Sequence, residues 1–150
     1  MATEPQTTSL RQAMMAVIAQ ASQPELDAVI ERFAPLPRVE DLRPAEVGLC
    51  MVRGRIGGDG AAFNLGEATV TRAAVRLNAL TGVSYLLGRA PERARAAALI
   101  DALWQDEAAR PAVEQALAPI RVRLKAMKDA EFARTDATRV EFFTLVRGED

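Results

Sequence analysis

Apolar positions recur at spacings of three and four in the first part of the chain. Leu10, Met14, Val17, Ile18 and Ala21 fall on one face of a helix over about residues 9–21. Ser22 stands three residues before Glu25, a capping-box spacing, and Pro24 sits in the first turn, where its missing N–H does no harm. Leu26, Val29, Ile30 and Phe33 line a second helix, which Pro35 and Pro37 end. From Glu46 to Ile56, and again from Ala61 to Leu77, strand-favouring residues replace the helical period. Between them Gly57-Gly58-Asp59-Gly60 suits the positive φ angles of a tight hairpin. Gly66 interrupts the second strand as a candidate bulge, and a third strand over about 82–87 puts Val83, Tyr85 and Leu87 on one face.

The helical period returns at Pro91, with Ala96, Leu99, Ile100 and Leu103 as a stripe and Trp104 beside it. Pro111 and Pro119 are each expected to restart the chain, giving a short helix and then a longer one to about Arg134. Val113, Leu117, Ile120, Leu124 and Met127 follow a 4-3-4-3 spacing that suits either a partner or this domain's own sheet. The tail, residues 139–147, alternates β-branched and aromatic residues and reads as a final strand. The pattern predicts one α+β domain over residues 1–150, with residues 1–8 flexible. It comprises N-terminal helices, an antiparallel meander of three strands with room for a fourth, C-terminal helices and a final strand.

A chain of 150 residues with 49% hydrophobic content has the size and composition of one globular domain. Histidine is absent, which removes the usual base near neutral pH and every imidazole metal ligand. A single cysteine, Cys50, excludes an internal disulfide and a thiolate metal cage, so no metal site is expected. Cys50 stands among Leu49, Met51 and Val52 and is expected to be a small buried hydrophobe. Asp101, Asp106 and Glu107 are expected on a solvated face. The net charge of −1 gives no field that would recruit nucleic acid or an anionic membrane. The polar N-terminus lacks the pattern of a signal peptide, and the longest apolar run is far below the ~20 residues of a membrane helix. A cytoplasmic protein is expected.

Arginine outnumbers lysine by 17 to two, and arginine grips phosphate or carboxylate as a fork. Arg53 and Arg55 share a face of one strand, and Arg72 and Arg76 share a face of the next if it runs unbroken. A turn centred on Gly58-Asp59 would bring all four to one side, with Cys50, Val52, Ile56, Phe63, Val75 and Leu77 on the other. A bulge at Gly66 would flip this register. The four arginines are the candidate substrate- or partner-binding set. Ion pairing with acids such as Glu46 and Glu67 is the structural alternative. The glycine run after Arg53 resembles a phosphate-cradling loop only superficially, because strands flank it on both sides.

Four stretches fit one family in order and spacing: Glu46-Val-Gly-Leu with Arg55-Ile-Gly-Gly-Asp-Gly60; Gly66-Glu-Ala-Thr-Val-Thr-Arg-Ala-Ala-Val-Arg-Leu77; Gly88-Arg with Ala98-Leu-Ile-Asp-Ala-Leu103; and Arg139-Val-Glu-Phe-Phe-Thr-Leu-Val-Arg-Gly-Glu149. They resemble the PhnG family, subunits of the bacterial carbon–phosphorus lyase core complex. The resemblance implies a role in phosphonate breakdown under phosphate limitation, beside the partner subunits PhnI, PhnH, PhnJ and PhnL. It implies support for displacement of adenine from MgATP by methylphosphonate, giving alpha-D-ribose 1-methylphosphonate 5-triphosphate. The nucleosidase-like step is attributed to PhnI and radical C–P cleavage to PhnJ. MgATP is then a substrate of the complex, and this chain is expected to bind no cofactor of its own. No catalytic residue carries over, so the chain is expected to be an assisting subunit of a transferase. The alternative is a scaffold without substrate contact, and a remoter one is an independent small-molecule binding domain.

Overall fold

The computed structural model describes residues 4–55 and 60–136. Helices α1 (Glu4–Ile18) and α2 (Gln23–Glu31) are followed by strands β1 (Val39–Gly54), β2 (Phe63–Leu77) and β3 (Leu80–Leu87), then by α3 (Pro91–Gln105) and α4 (Arg110–Asp136). The strands form an antiparallel sheet in the order β1-β2-β3. This is the α+β architecture that the pattern predicts. Residues 57–59 of the expected hairpin turn at 57–60, and the expected final strand at 139–147, lie outside the described residues.

Each element follows from its sequence, with three differences. Helix α1 starts at Glu4, earlier than the apolar period indicates, because Pro5 and the polar residues around it suit a first helical turn. Strand β1 reaches back to Val39 although Pro44 lies inside it. Pro44 falls where the β1–β2 register shifts, between Arg43 and Glu46, on an edge strand where a missing N–H breaks no ladder bond. Pro119, expected to restart the chain, instead lies inside one continuous α4. It stands on the exposed face with Gln115, whose carbonyl water can satisfy.

The core lies between the inner sheet face and the helices. Thr71, Ala73, Val75 and Leu77 of β2 and Ser84 and Leu86 of β3 point inward. Helix α3 is buried on nearly every side, from Ala96 through Trp104. It seats against β3 so closely that a Cβ on Gly82 would stand 1.9 Å from the Ala98 carbonyl oxygen and 2.6 Å from the Ala102 nitrogen. From α4, Val113, Ala116, Leu117 and Ile120 close the core against α1, α2 and α3 rather than against the sheet. At the start of α2 the Glu25 carboxylate accepts the Ser22 backbone N–H at 2.8 Å and Nε and Nη2 of Arg123 on α4, at 2.6 and 2.8 Å. Arg123, and after it the Ser22 N–H, pulls the Glu25 carboxyl down to about 2.

Two outcomes test this packing. Gly82→Ala sets a methyl group against α3 backbone that cannot yield, and urea unfolding should show a loss of about 3 kcal/mol. Glu25 has its pKa lowered on folding, so its contribution is full above about pH 4.5 and fades as the pH falls towards 2. The stability gap between wild type and Glu25→Gln, followed by thermal melting, should therefore be constant above pH 5 and close between 4.5 and 2.

Candidate functional site

Helices cover one face of the sheet, and its other face meets solvent. Inward residues of β2 are odd-numbered from Thr71 to Leu77, so Arg72, Ala74 and Arg76 project outward. The register lines up Glu46, Arg72 and Tyr85 across the three strands, with Ala74 opposite Val83 and Val70 opposite Leu87. The expected shared face of Val83, Tyr85 and Leu87 is this solvent face, and Leu87 is 78% exposed. A shallow depression of about 350 Å³ lies over it, lined by Leu42, Arg43, Arg72, Ala73, Ala74, Val83 and Tyr85.

Arg72 donates from Nε to Glu46 at 2.7 Å, and Arg43 approaches the same carboxylate at 3.7 Å. The Glu46 hydrogen bond, and then the Tyr85 hydroxyl, hold the Arg72 guanidinium more firmly protonated than usual. Arg76 reaches Glu40 at 3.5 Å. The alternative of ion pairing thus holds for Arg72 with Glu46, while Arg76 takes Glu40 and not Glu67.

The four candidate arginines do not share a face. Val52 pairs with Gly66 but Arg53 pairs with Asn64, so Leu65 is an extra residue in β2, and Gly66 takes φ +155°. This is the bulge the glycine suggests, and it flips the alternation beyond it. Arg53 is turned to the side opposite Arg72 and Arg76 and donates to the Ala62 carbonyl at 3.3 Å. Arg55 is exposed at the edge of the described residues. Cys50 and Val52, expected opposite the arginines, lie on the Arg72 side, paired with Ala68 and Gly66. Cys50 is exposed and not buried. The reason is that the hairpin of β1 and β2 runs past the helices, so apolar residues on both its sides meet solvent. Leu49 is 66% exposed and Met51 55%, with Val47, Val52, Phe63 and Leu65 exposed around them.

Asp101, expected on a solvated face, is fully buried. It accepts both Nε and Nη2 of Arg11, at 2.8 and 2.6 Å, and the backbone N–H of Val83 at 2.9 Å. Gln105 Nε2 adds a contact at 3.2 Å. The Asp101 hydrogen bond raises the Arg11 pKa against the opposing effect of burial. The sequence carries a signal for this: Ala96–Trp104 is apolar around the whole helix, and a carboxylate inside such a helix must be paired. Every hydrogen bond of Asp101 belongs to the scaffold. Among the described residues no group of three or more Cys, Asp or Glu is gathered to hold a metal ion. None of the described helices is long and apolar enough to cross a membrane.

Arg72 and Arg76 should add little to stability, because exposed pairs contribute about 0–1 kcal/mol. The Arg72→Ala, Arg76→Ala double variant should melt within a few degrees of wild type by circular dichroism.

The family model of the phosphonate metabolism protein PhnG matches residues 9–148. A relative from Rhizobium meliloti (strain 1021), the alpha-D-ribose 1-methylphosphonate 5-triphosphate synthase subunit PhnG, is 47% identical over 137 residues. The alignment spans 91% of this chain and 88% of that protein. These matches run from α1 through the sheet and both C-terminal helices, and the chain belongs to the PhnG family of phosphonate metabolism proteins.

Proposed function

We propose that this chain is an accessory subunit of the synthase that replaces adenine of MgATP with methylphosphonate. In that reaction a phosphonate oxygen bonds to ribose C1 as the bond from C1 to adenine N9 breaks. Adenine leaves with a proton, and the product is alpha-D-ribose 1-methylphosphonate 5-triphosphate. The partners are the PhnI, PhnH and PhnJ subunits, with PhnL acting alongside them, in the cytoplasm. The observation that carries this reading is the 47% identity to a named subunit of that synthase across nearly the whole chain. The open sheet face and the hairpin with apolar side chains on both sides support a protein that works in an assembly, since obligate interfaces are large and apolar.

A second reading, a scaffold without substrate contact, is favoured by one observation. Arg72 and Arg76 already hold Glu46 and Glu40, so a phosphate would have to displace a carboxylate at each.

Purified partner subunits with MgATP and methylphosphonate test both readings when adenine release is measured with and without this chain. Release should fall at least about tenfold without it, and an unchanged rate overturns the assignment. Arg72→Ala with Arg76→Ala separates the two. An assembly that forms but turns over slowly supports phosphate contact, and one with normal turnover supports the scaffold. Leu49→Asp with Met51→Asp should spare the melting temperature of the lone chain and abolish its capture by the partners.

A further inference from the structure

The apolar stripe of α4 leaves the core partway along the helix. Val113, Leu117 and Ile120 are buried, Leu124 is partly covered, and Met127 is 58% exposed. Beyond Ile120 the helix runs on to Asp136, roughly 24 Å at 1.5 Å per residue, with Val122 and Phe132 also exposed. Where the stripe emerges, Ala16 and Val17 of α1 and Gln20 in the turn after it face Leu124 and Met127 of α4 across a groove of about 590 Å³. Arg121, Lys125 and Lys128 line it, with Glu131 as its one acid.

The charge of this groove opposes that of the molecule. Three cations and one anion border it, in a chain of net charge −1. Arg121 is held internally by Glu114 at 2.6 Å. Lys125 and Lys128 are exposed and take part in none of the ion pairs among the described residues. They are also the chain's two lysines, three residues apart and so on one face of α4. An isologous contact with a second copy through this groove would set these cations against themselves. A polybasic membrane patch takes about 4–8 cations, more than the groove offers.

We propose that the groove between α1 and α4 seats an acidic amphipathic helix of a partner subunit. Its apolar stripe lies on Val17, Leu124 and Met127, and its Asp or Glu flank meets Lys125 and Lys128. Docking would continue the core stripe of α4 outward and give the exposed half of that helix packing that the described residues do not supply. This inference rests on the reading of the chain as a subunit.

A water-soluble carbodiimide tests it directly, because that reagent joins an amine to a carboxylate as an amide and is itself converted to a urea. Besides the N-terminus, only Lys125 and Lys128 offer an amine in this chain. In the assembly purified by co-expression with the partner subunits, peptide mass spectrometry should find one or both joined to acids of a single amphipathic segment of a partner. Acetylation of both lysines should be roughly tenfold slower in the assembly than in the lone chain. Lys125→Glu with Lys128→Glu should weaken capture of that partner about tenfold or more, increasingly so at low salt, while leaving the melting temperature of the lone chain unchanged. Cross-links that join two copies of this chain, or acetylation equally fast in both states, overturn the proposal and leave the subunit assignment standing. If the wild-type chain captures no partner subunit at all, both fall.

Discussion

A carboxylate taken wholly out of water must be paid for by its neighbours, and Asp101 has them. Two nitrogens of Arg11 and the backbone N–H of Val83 bring α1, α3 and β3 to one point. Removing one partner of such a pair typically costs roughly 3–5 kcal/mol, because a charge is left buried without compensation. Arg11 remains partly exposed, so water would soften the loss on its side. Apolar packing would tolerate small slips of α3 along the sheet, but these hydrogen bonds would not. With Gly82 pressed against Ala98 and Ala102, they fix the position of α3 on β3. The other helices pack around that reference.

The sequence reports period more clearly than cover. The stripes place Met14 and Ile18 of α1, Leu26 and Val29 of α2, and Leu99, Ile100 and Leu103 of α3 in the core. Leu10 of the α1 stripe is 54% exposed, and α3 is buried beyond its stripe because it lies between the sheet and the other helices. Val83, Tyr85 and Leu87 share one face, as the alternation predicts. Cys50 is exposed where burial is expected because an alternating apolar strand looks the same whether or not helices reach it, and here they stop short of the hairpin. Gly66 announces its bulge, yet the side to which Arg53 turns depends on where Leu65 is accommodated. That is a matter of pairing, which no single strand encodes. Asp101 is the reverse case: the apolar helix around it signals that it must be paired, but its partner Arg11 lies 90 residues away, so nothing local says with what.

The three-stranded sheet with helices on one side explains why this chain suits assembly. A larger domain would cover its second sheet face with further elements, and here the described residues leave Val83, Tyr85 and Leu87 to solvent. The ion pairs of Arg72 and Arg76 keep this face wettable, while the hairpin beyond the helices carries its apolar residues on both sides. Stability and association are thereby separated in space. Helix α3 and its neighbours hold the fold, and the surfaces away from them are free to vary with what they meet.

The pairing of α3 with β3 also gives the sheet a direction. Because β3 is a border strand, the Val83 N–H and the Thr81 carbonyl face away from β2, and the side chains of Asp101 and Gln105 take them both, at 2.9 and 2.8 Å. These two bonds tie that stretch of β3 to α3. On the opposite border lies β1, a run of 16 residues that among the described residues is paired on one side only, by β2. Within the described residues the two borders of the sheet therefore differ: side chains of α3 hydrogen-bond the β3 backbone, whereas β1 meets only β2 as a strand partner.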